Sequence, residues 1–398
     1  MSEQKRLLLV SKFAFYPPHW NAFALSCKRY GVRGSVIAAA PPELPKVHQQ
    51  LGWVESEAAS KEPFVDRIEH LPAGSRSSQR RWLAGVLNEI QADHIWLQQE
   101  PVEKLSMQVL AHYQNDPRPV IASAVCENLF RRRNVFKRYG RTRRWRRLDA
   151  LLATATPSIE AIQNAGMPKR VPATPLVAGM EGPTSIPTAL DLNELQIGIA
   201  PKPDDFVVGF AGRIVEQKGW GVLLEAVARL PETFKVAFAG CGDQSQQLKQ
   251  RAMEAGLRGR VAVAGSLPKD QLWRFYRAVN CVAVPSMTRP KWKEQFGGVL
   301  ADAMAVGVPL IGSDSGAIPE VIGSAGVIVP EGDVQSLSRA IKQLAESPET
   351  RRRLSLQGRL RYDSEFSMSA YADKVAQGVG LQHADAVSPD LDVGRRVA

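Results

Sequence analysis

Residues 294–302 read Glu-Gln-Phe-Gly-Gly-Val-Leu-Ala-Asp, and they combine the groups an anion site with two hydroxyl readers would need. Gly297 and Gly298 let a backbone approach closely at a helix start, where free N–H groups and the helix dipole favour a phosphate. Glu294 and Asp302 are acceptors suited to sugar hydroxyls on either side of that phosphate. A nucleotide-sugar is the common compound whose phosphates lie between two sugars. The plainer alternative is a glycine-started surface helix carrying solvated acids. The spacing alone is suggestive, and the neighbouring loops add the weight.

Those loops are glycine-bounded and follow short apolar runs. Gly212-Arg213-Ile214-Val215-Glu216-Gln217-Lys218-Gly219 follows the run Phe206–Ala211 and puts one guanidinium and one ammonium on a tight turn, a clamp for a diphosphate. A departing nucleotide gains negative charge during sugar transfer, so cations aimed at it favour the transition state over the ground state. An ordinary basic loop would look the same in isolation. Gly240-Cys241-Gly242-Asp243 and Gly265-Ser266-Leu267-Pro268 are further glycine turns, and Ser266 and Leu267 could present backbone groups to the edge of a base. Gly312–Glu320 is another such loop, with Asp314 or Ser315 available as a helix cap.

Positioning these loops requires strands ending just before them, and the pattern supplies those strands. Short apolar runs alternate with amphipathic stretches along the whole chain, as in parallel α/β sheets. Expected first-half strands are Leu7–Val10, Ser35–Ala39, His94–Leu97, Val120–Ala124 and Ala150–Thr154, with helices at Trp82–Ile90 and Val102–His112. The second half restarts at Phe206–Ala211 and continues with strands at Lys235–Ala239, Val261–Ala264, Cys281–Val284 and Pro309–Gly312. Helices are expected at Gly221–Leu230, Gln246–Ala255, Gln271–Ala278, Phe296–Val306 and from Val334 onward.

The expected division is a domain at 1–180, a linker at 181–203, a domain at 204–362, a helix at 363–380 packing back on the first domain, and a mobile tail at 381–398. The proline- and glycine-rich stretch Pro172–Pro203 suggests the linker. Two doubly wound halves imply a central cleft, since ligands of open parallel sheets bind beyond the strands' carboxyl ends.

At 398 residues, 44% hydrophobic and 23% charged, the composition is that of a globular enzyme with two cores. No apolar run approaches a membrane span, and Lys5–Lys12 resembles a first strand more than a signal peptide. Cys27, Cys126, Cys241 and Cys281 show no paired spacing for zinc or a redox dithiol, so buried, reduced thiols in a cytoplasmic protein are expected. The net charge of +11 is concentrated in Arg131–Arg147, where basic residues interleave with Phe136, Tyr139 and Trp145. Such a run suits an anionic membrane face or acidic acceptor, or it is a solvated helix face. No nucleic-acid motif accompanies it, so no nucleic-acid partner is expected.

Taken together, Gly212–Gly219, Pro285-Ser286, Glu294–Ala305, Gly307-Val308-Pro309 and Gly316–Glu320 resemble glycosyltransferase family four, the group 1 retaining glycosyltransferases of GT-B fold. The resemblance covers roughly Phe206 to Lys374. It implies two Rossmann-like domains facing a cleft, the second binding a nucleotide-sugar and the first a sugar, glycan or lipid-linked acceptor. It implies that Arg213 and Lys218, with Gly212, bind the diphosphate, and that Glu294 contacts the transferred sugar. Amides around Phe296, Gly297 and Gly298 would reach the distal phosphate, and Asp302 would bind the ribose. No metal or other cofactor is implied. The departing phosphate would itself take the acceptor's proton, with retention of configuration, in glycan, polysaccharide or glycolipid synthesis.

Several features depart from that family's pattern. Asp302 stands where glutamate is usual, and Met287–Lys293 is a longer gap than usual, in which Lys291-Trp292-Lys293 could line the site. The glycine pair after the first strand is replaced by Phe13–Asn21, and the frequent histidine after the Val120–Ala124 strand by Cys126-Glu127-Asn128. Glu127 could orient an acceptor hydroxyl or cap a helix, and Gln99-Glu100-Pro101 is a further candidate. A non-catalytic partner protein and a nucleotide-sugar epimerase are the alternatives to an active transferase, located in the cytoplasm or peripherally on the inner membrane face.

Overall fold

The computed structural model describes residues 4–39, 54–126, 142–176, 179–195 and 198–382. It divides into two compact units, one comprising residues 1–154, 159–179 and 368–398, the other 155–158 and 180–367.

The first unit holds a seven-stranded parallel sheet in the order β3-β2-β1-β4-β5-β6-β7. Its strands are β1 (Arg6–Ser11), β2 (Arg33–Ala38), β3 (Val65–His70), β4 (His94–Leu97), β5 (Val120–Val125), β6 (Ala150–Ala153) and β7 (Ala173–Pro175). Period-two alternation sends Leu7 and Leu9 to one core and Leu8 and Val10 to another, so both sheet faces are buried. Helix α1 (Pro17–Tyr30) begins at a proline pair, whose fixed φ suits a first turn, and ends at Gly31 in a left-handed C-cap. It is followed by α2 (Ser56–Ser60), α3 (Arg76–Ile90), α4 (Lys104–His112) and α5 (Thr156–Asn164).

The second unit is a six-stranded parallel sheet in the order β10-β9-β8-β11-β12-β13. Its strands are β8 (Phe206–Ala211), β9 (Phe234–Ala239), β10 (Val261–Gly265), β11 (Cys281–Val284), β12 (Leu310–Ser313) and β13 (Gly326–Val329). The helices are α6 (Trp220–Ala228), α7 (Ser245–Glu254), α8 (Lys269–Arg277), α9 (Gly298–Ala305), α10 (Ile318–Ile322), α11 (Val334–Glu346) and α12 (Pro348–Arg361). Strand order reverses where β8 lies beside β11, with Cys281 opposite Val208. At such a switch point adjacent loops diverge and leave room for a ligand.

The expected linker at 181–203 is instead packed into the second unit. Leu192 and Ile199 are buried and hydrogen-bonded to each other through Ile199 N–H, and Leu190 N–H donates to Arg274 O at 3.0 Å. Proline and glycine richness there reflects irregular backbone lying against a domain. The last helix, α13 (Met368–Gly378), belongs to the first unit and packs on α1, with Ser26 Oγ donating to Ala372 O at 3.3 Å. Residues 383–398 lie outside the described region. Among the described residues, no helix is long and apolar enough to cross a membrane.

Candidate functional site

The loops after β8 and β11, neighbours at the second unit's switch point, bring Lys218 and Glu294 together. Lys218 Nζ stands 2.7 Å from Glu294 Oε2, with the two side chains 21% and 8% exposed. Ser286 Oγ, just past β11, donates to the same oxygen at 2.8 Å. Ser286 is in turn held by Ser313 at the end of β12, whose hydroxyl donates to Ser286 O at 2.5 Å. A buried carboxylate needs such partners, because desolvation disfavours an unpaired charge.

Backbone geometry fixes the two loops against each other. Met287 N–H donates to Gln217 O at 2.8 Å. Gly219 has φ of +71°, and a Cβ there would lie 1.8 Å from Pro285 O, so both conformation and space require glycine. Gly316 (φ +56°) makes a similar approach: its Cβ would fall 2.1 Å from Glu294 O. That carbonyl accepts Ala317 N–H at 3.0 Å, so the loop after β12 anchors the backbone of Glu294.

The segment 287–293 forms a small hairpin, with Arg289 and Trp292 exchanging backbone hydrogen bonds of 2.8 and 3.0 Å. Arg289 is ion-paired to Glu216 at 2.7 Å, tying the hairpin to the β8 loop. It carries Trp292 to Lys218, whose Nζ lies 5.1 Å from the indole centroid, within cation–π range.

Gly297, in a left-handed conformation, opens α9 without a side-chain cap. Leu300 N–H in this first turn donates to Gly297 O at 2.8 Å, and the N–H groups before it have no intrahelical acceptor and so can serve an anion. Phe296 anchors this turn by packing on Phe366, centroids 5.8 Å apart. Arg213 is exposed in the β8 loop after Gly212, and no ion pair of it is found among the described residues. Ser266 is exposed and Leu267 half-buried beyond β10.

Asp302, expected to be a ribose reader, is buried in α9 and ion-paired with Lys269 at the start of α8. Burial raises its pKa, and the Lys269 ammonium opposes the rise. Lys269 also lies 5.6 Å from the Trp273 ring. The sequence reading missed Lys269. Its position at the head of a helix after a glycine turn was the available signal. It also missed the role of Ser313, which only the strand order reveals.

Gln99, Glu100 and Pro101 each hydrogen-bond to a residue of their own unit. Glu100 Oε1 accepts Cys126 N–H at 2.5 Å, Gln99 Nε2 donates to Ser106 Oγ at 2.9 Å, and Pro101 O accepts the Trp145 indole at 3.0 Å. His19, in the segment replacing the usual glycine pair, lies 3.1 Å from Phe13 O through Nδ1 and 2.9 Å from Gln98 Nε2 through Nε2. Nε2 must accept from the amide, so the proton sits on Nδ1. Burial lowers the His19 pKa to about 4, keeping the ring neutral.

Two expectations need correction. Within the basic run, Trp145 and Arg147 are buried. Arg147 Nε donates to the carbonyls of Tyr113 and Asp116 at 3.0 and 2.9 Å, and Nη1 pairs with Asp149 at 2.8 Å. Those two residues therefore stitch loops, whereas Arg143 and Arg146 are exposed. Glu127 and Arg131–Arg141 lie outside the described residues. Of the four thiols, Cys27 and Cys281 are buried, whereas Cys126 and Cys241 are exposed because each follows the end of a strand. No group of three His, Cys, Asp or Glu side chains able to hold a metal is found among the described residues.

Comparison with known proteins bears on this site. The chain is 26% identical over 245 residues to a 2-deoxystreptamine glucosyltransferase of Streptomyces kanamyceticus, covering 60% of this chain and 57% of that protein. It is 32% identical over 173 residues to the lipopolysaccharide core biosynthesis glycosyltransferase LpsE of Rhizobium meliloti, covering 43% of this chain and 48% of the relative. The matches thus span about half the length of these curated relatives. A crystal structure of HepE from Anabaena in complex with UDP superposes with a TM-score of 0.68 at 18% identity, covering 94% of this chain and 99% of that one, which shows a shared fold. Residues 193–361 match the family described as glycosyl transferases group 1, a span that contains Lys218, Ser286, Glu294 and α9.

Proposed function

We propose that this chain transfers a sugar, with retention, from a nucleotide-sugar to an acceptor hydroxyl, and that the second unit binds the donor. The carrying observation is the convergence of Lys218, Glu294 and Ser286 beside the uncapped start of α9. Without ligand, the ammonium and carboxylate neutralise each other. An arriving diphosphate competes for Lys218 and for the α9 amides, and Glu294 turns its freed acceptor capacity to sugar hydroxyls. Arg213, exposed on the same loop, supplies a second cation to the leaving phosphates.

The reaction then needs positioning and electrostatics more than a dedicated protein base. The acceptor hydroxyl attacks the anomeric carbon as the bond to the diphosphate breaks, and the acceptor's proton passes to the departing phosphate. Cations at that phosphate stabilise the charge as it develops. Lys269, at the start of α8, and Asp302, one turn into α9, would meet the nucleoside end, one carboxylate oxygen staying on Lys269 while the other accepts a ribose hydroxyl.

The relatives named as a 2-deoxystreptamine glucosyltransferase and a lipopolysaccharide core biosynthesis glycosyltransferase support a biosynthetic acceptor, a sugar, a glycan or a lipid-linked saccharide, selected by the first unit. We place the reaction at the cytoplasmic side of a membrane. The test is turnover of UDP-, GDP- and ADP-sugars, by hydrolysis or by transfer to glycan acceptors. Activity abolished in Glu294→Ala, with the fold intact, supports the reading; no turnover or binding of any donor by the wild type overturns it.

A further inference from the structure

Away from the Lys218–Glu294 site, α12 shows solvent a face that its own domain does not use. The helix is capped by Ser347, whose hydroxyl accepts Thr350 N–H at 3.2 Å, and begins at Pro348. Leu354 and Gly358 form its buried side. Arg352, Leu356 and Leu360 follow at four-residue intervals and share another stripe. Leu356 and Leu360 are 62% and 59% exposed, and Ile186, from the segment leading into the domain, is 70% exposed.

Leu360 lies one turn beyond Leu356 on the same helix. Ile186 and Leu356 line one groove of about 470 Å³ together with Arg277, Arg352 and Arg359, and no carboxylate lines it. Arg359 is partly engaged, with Nε on Asp363 at 3.1 Å and Nη1 on Ala305 O. Arg277 Nη1 lies 3.5 Å from Val306 O. Arg353 reaches Gln357 at 3.1 Å, and no ion pair of Arg352 or Arg353 is found among the described residues. Single exposed leucines are ordinary on protein surfaces. Large apolar side chains beside guanidinium groups along a helix are the arrangement that lies in a lipid interface.

We propose that this face of α12, with Ile186, docks on an anionic lipid surface, the guanidiniums meeting phosphate headgroups and the leucines entering the acyl boundary. Charge complementarity selects the occupant: the groove carries cations without a lining acid. A protein partner would need a continuous patch of about 800 Å² on each side. A fluid lipid surface accepts separate protruding side chains between charges. Docking on this face would hold the enzyme where lipid-linked acceptors are found, yet the docking itself requires no sugar transfer.

The test is co-sedimentation of the full chain with equimolar phosphatidylcholine–phosphatidylglycerol vesicles and with pure phosphatidylcholine vesicles. The wild type should sediment with the anionic vesicles only. Leu356→Ser/Leu360→Ser and Arg352→Glu/Arg353→Glu should each lower the partition coefficient by about 10-fold or more. All four positions are exposed, so both variants should keep the wild-type melting temperature and nucleotide-diphosphate binding. Wild type that ignores anionic vesicles, or variants that sediment as well as wild type, would overturn the proposal, including where an acidic protein proves to bind this face instead. Donor turnover is scored separately, so failure here is distinguishable from failure of the transferase reading.

Discussion

Lys218 and Glu294, 76 residues apart in sequence, form an ion pair of 2.7 Å inside the second unit, and the ammonium is also covered by the Trp292 ring. Removing either partner has different consequences because Glu294 is the more deeply buried. Lys218→Met should destabilise the protein by about 3 kcal/mol, since it leaves a buried carboxylate without its counter-charge. Lys218→Met/Glu294→Gln should recover much of that loss. Chemical denaturation of the two variants and wild type checks this. Equal stability of the single and double variants would show the pair to be energetically uncoupled.

Trp292 should matter for donor affinity without touching the reaction. An aromatic face near an ammonium contributes about 1 kcal/mol, so Trp292→Ala should raise the donor KM about 5-fold, and Trp292→Phe should recover part of it. The measurement is steady-state kinetics with the best donor. A fall in kcat at unchanged KM would place the indole elsewhere in the cycle.

Asp302 ties the stability of the second unit to pH. Its folded pKa lies above the ordinary aspartate value because of burial, so the folded state holds its proton to higher pH than the unfolded state does. Its contribution to stability is therefore full at pH below the unfolded pKa and declines as pH rises through the raised folded pKa. Asp302→Asn should remove that decline, leaving the variant gaining on wild type as pH rises through the window. Melting temperatures across pH 3–8 report it, and parallel curves would contradict it.

His19 has the opposite sign. With a folded pKa of about 4 against an ordinary value of 6.5, the unfolded chain takes up a proton between these values while the folded chain does not. Stability is full above pH 6.5 and falls as pH drops toward 4, by up to about 3 kcal/mol. His19→Asn should flatten that fall. An unchanged acid limb would mean that the ring gains its proton without leaving Phe13 O and Gln98.

What was readable in the sequence was local, and what was not depends on contacts across the chain. The spacing from Glu294 to Gly298 is a helix start written in consecutive residues, and β4, β8 and β11 occupy the runs that predicted them. β3 and β13 escaped notice because Val65–His70 is mostly polar and Gly326–Val329 is short; pairing with β2 and β12 makes them strands. Asp302 read as a free acceptor because Lys269, 33 residues away, becomes its neighbour only when α8 and α9 pack. Arg147 read as part of a solvated basic face because, apart from Asp149, its acceptors are backbone carbonyls, which no residue pattern announces.

The most direct test of the account is isothermal titration of UDP, GDP and ADP into the wild type and into Lys218→Ala. Loss of a charge-assisted phosphate contact of about 2 kcal/mol predicts that the preferred nucleotide binds about 30-fold more weakly to the variant. Equal affinity in both proteins, or no binding by the wild type, would contradict a diphosphate site at Lys218.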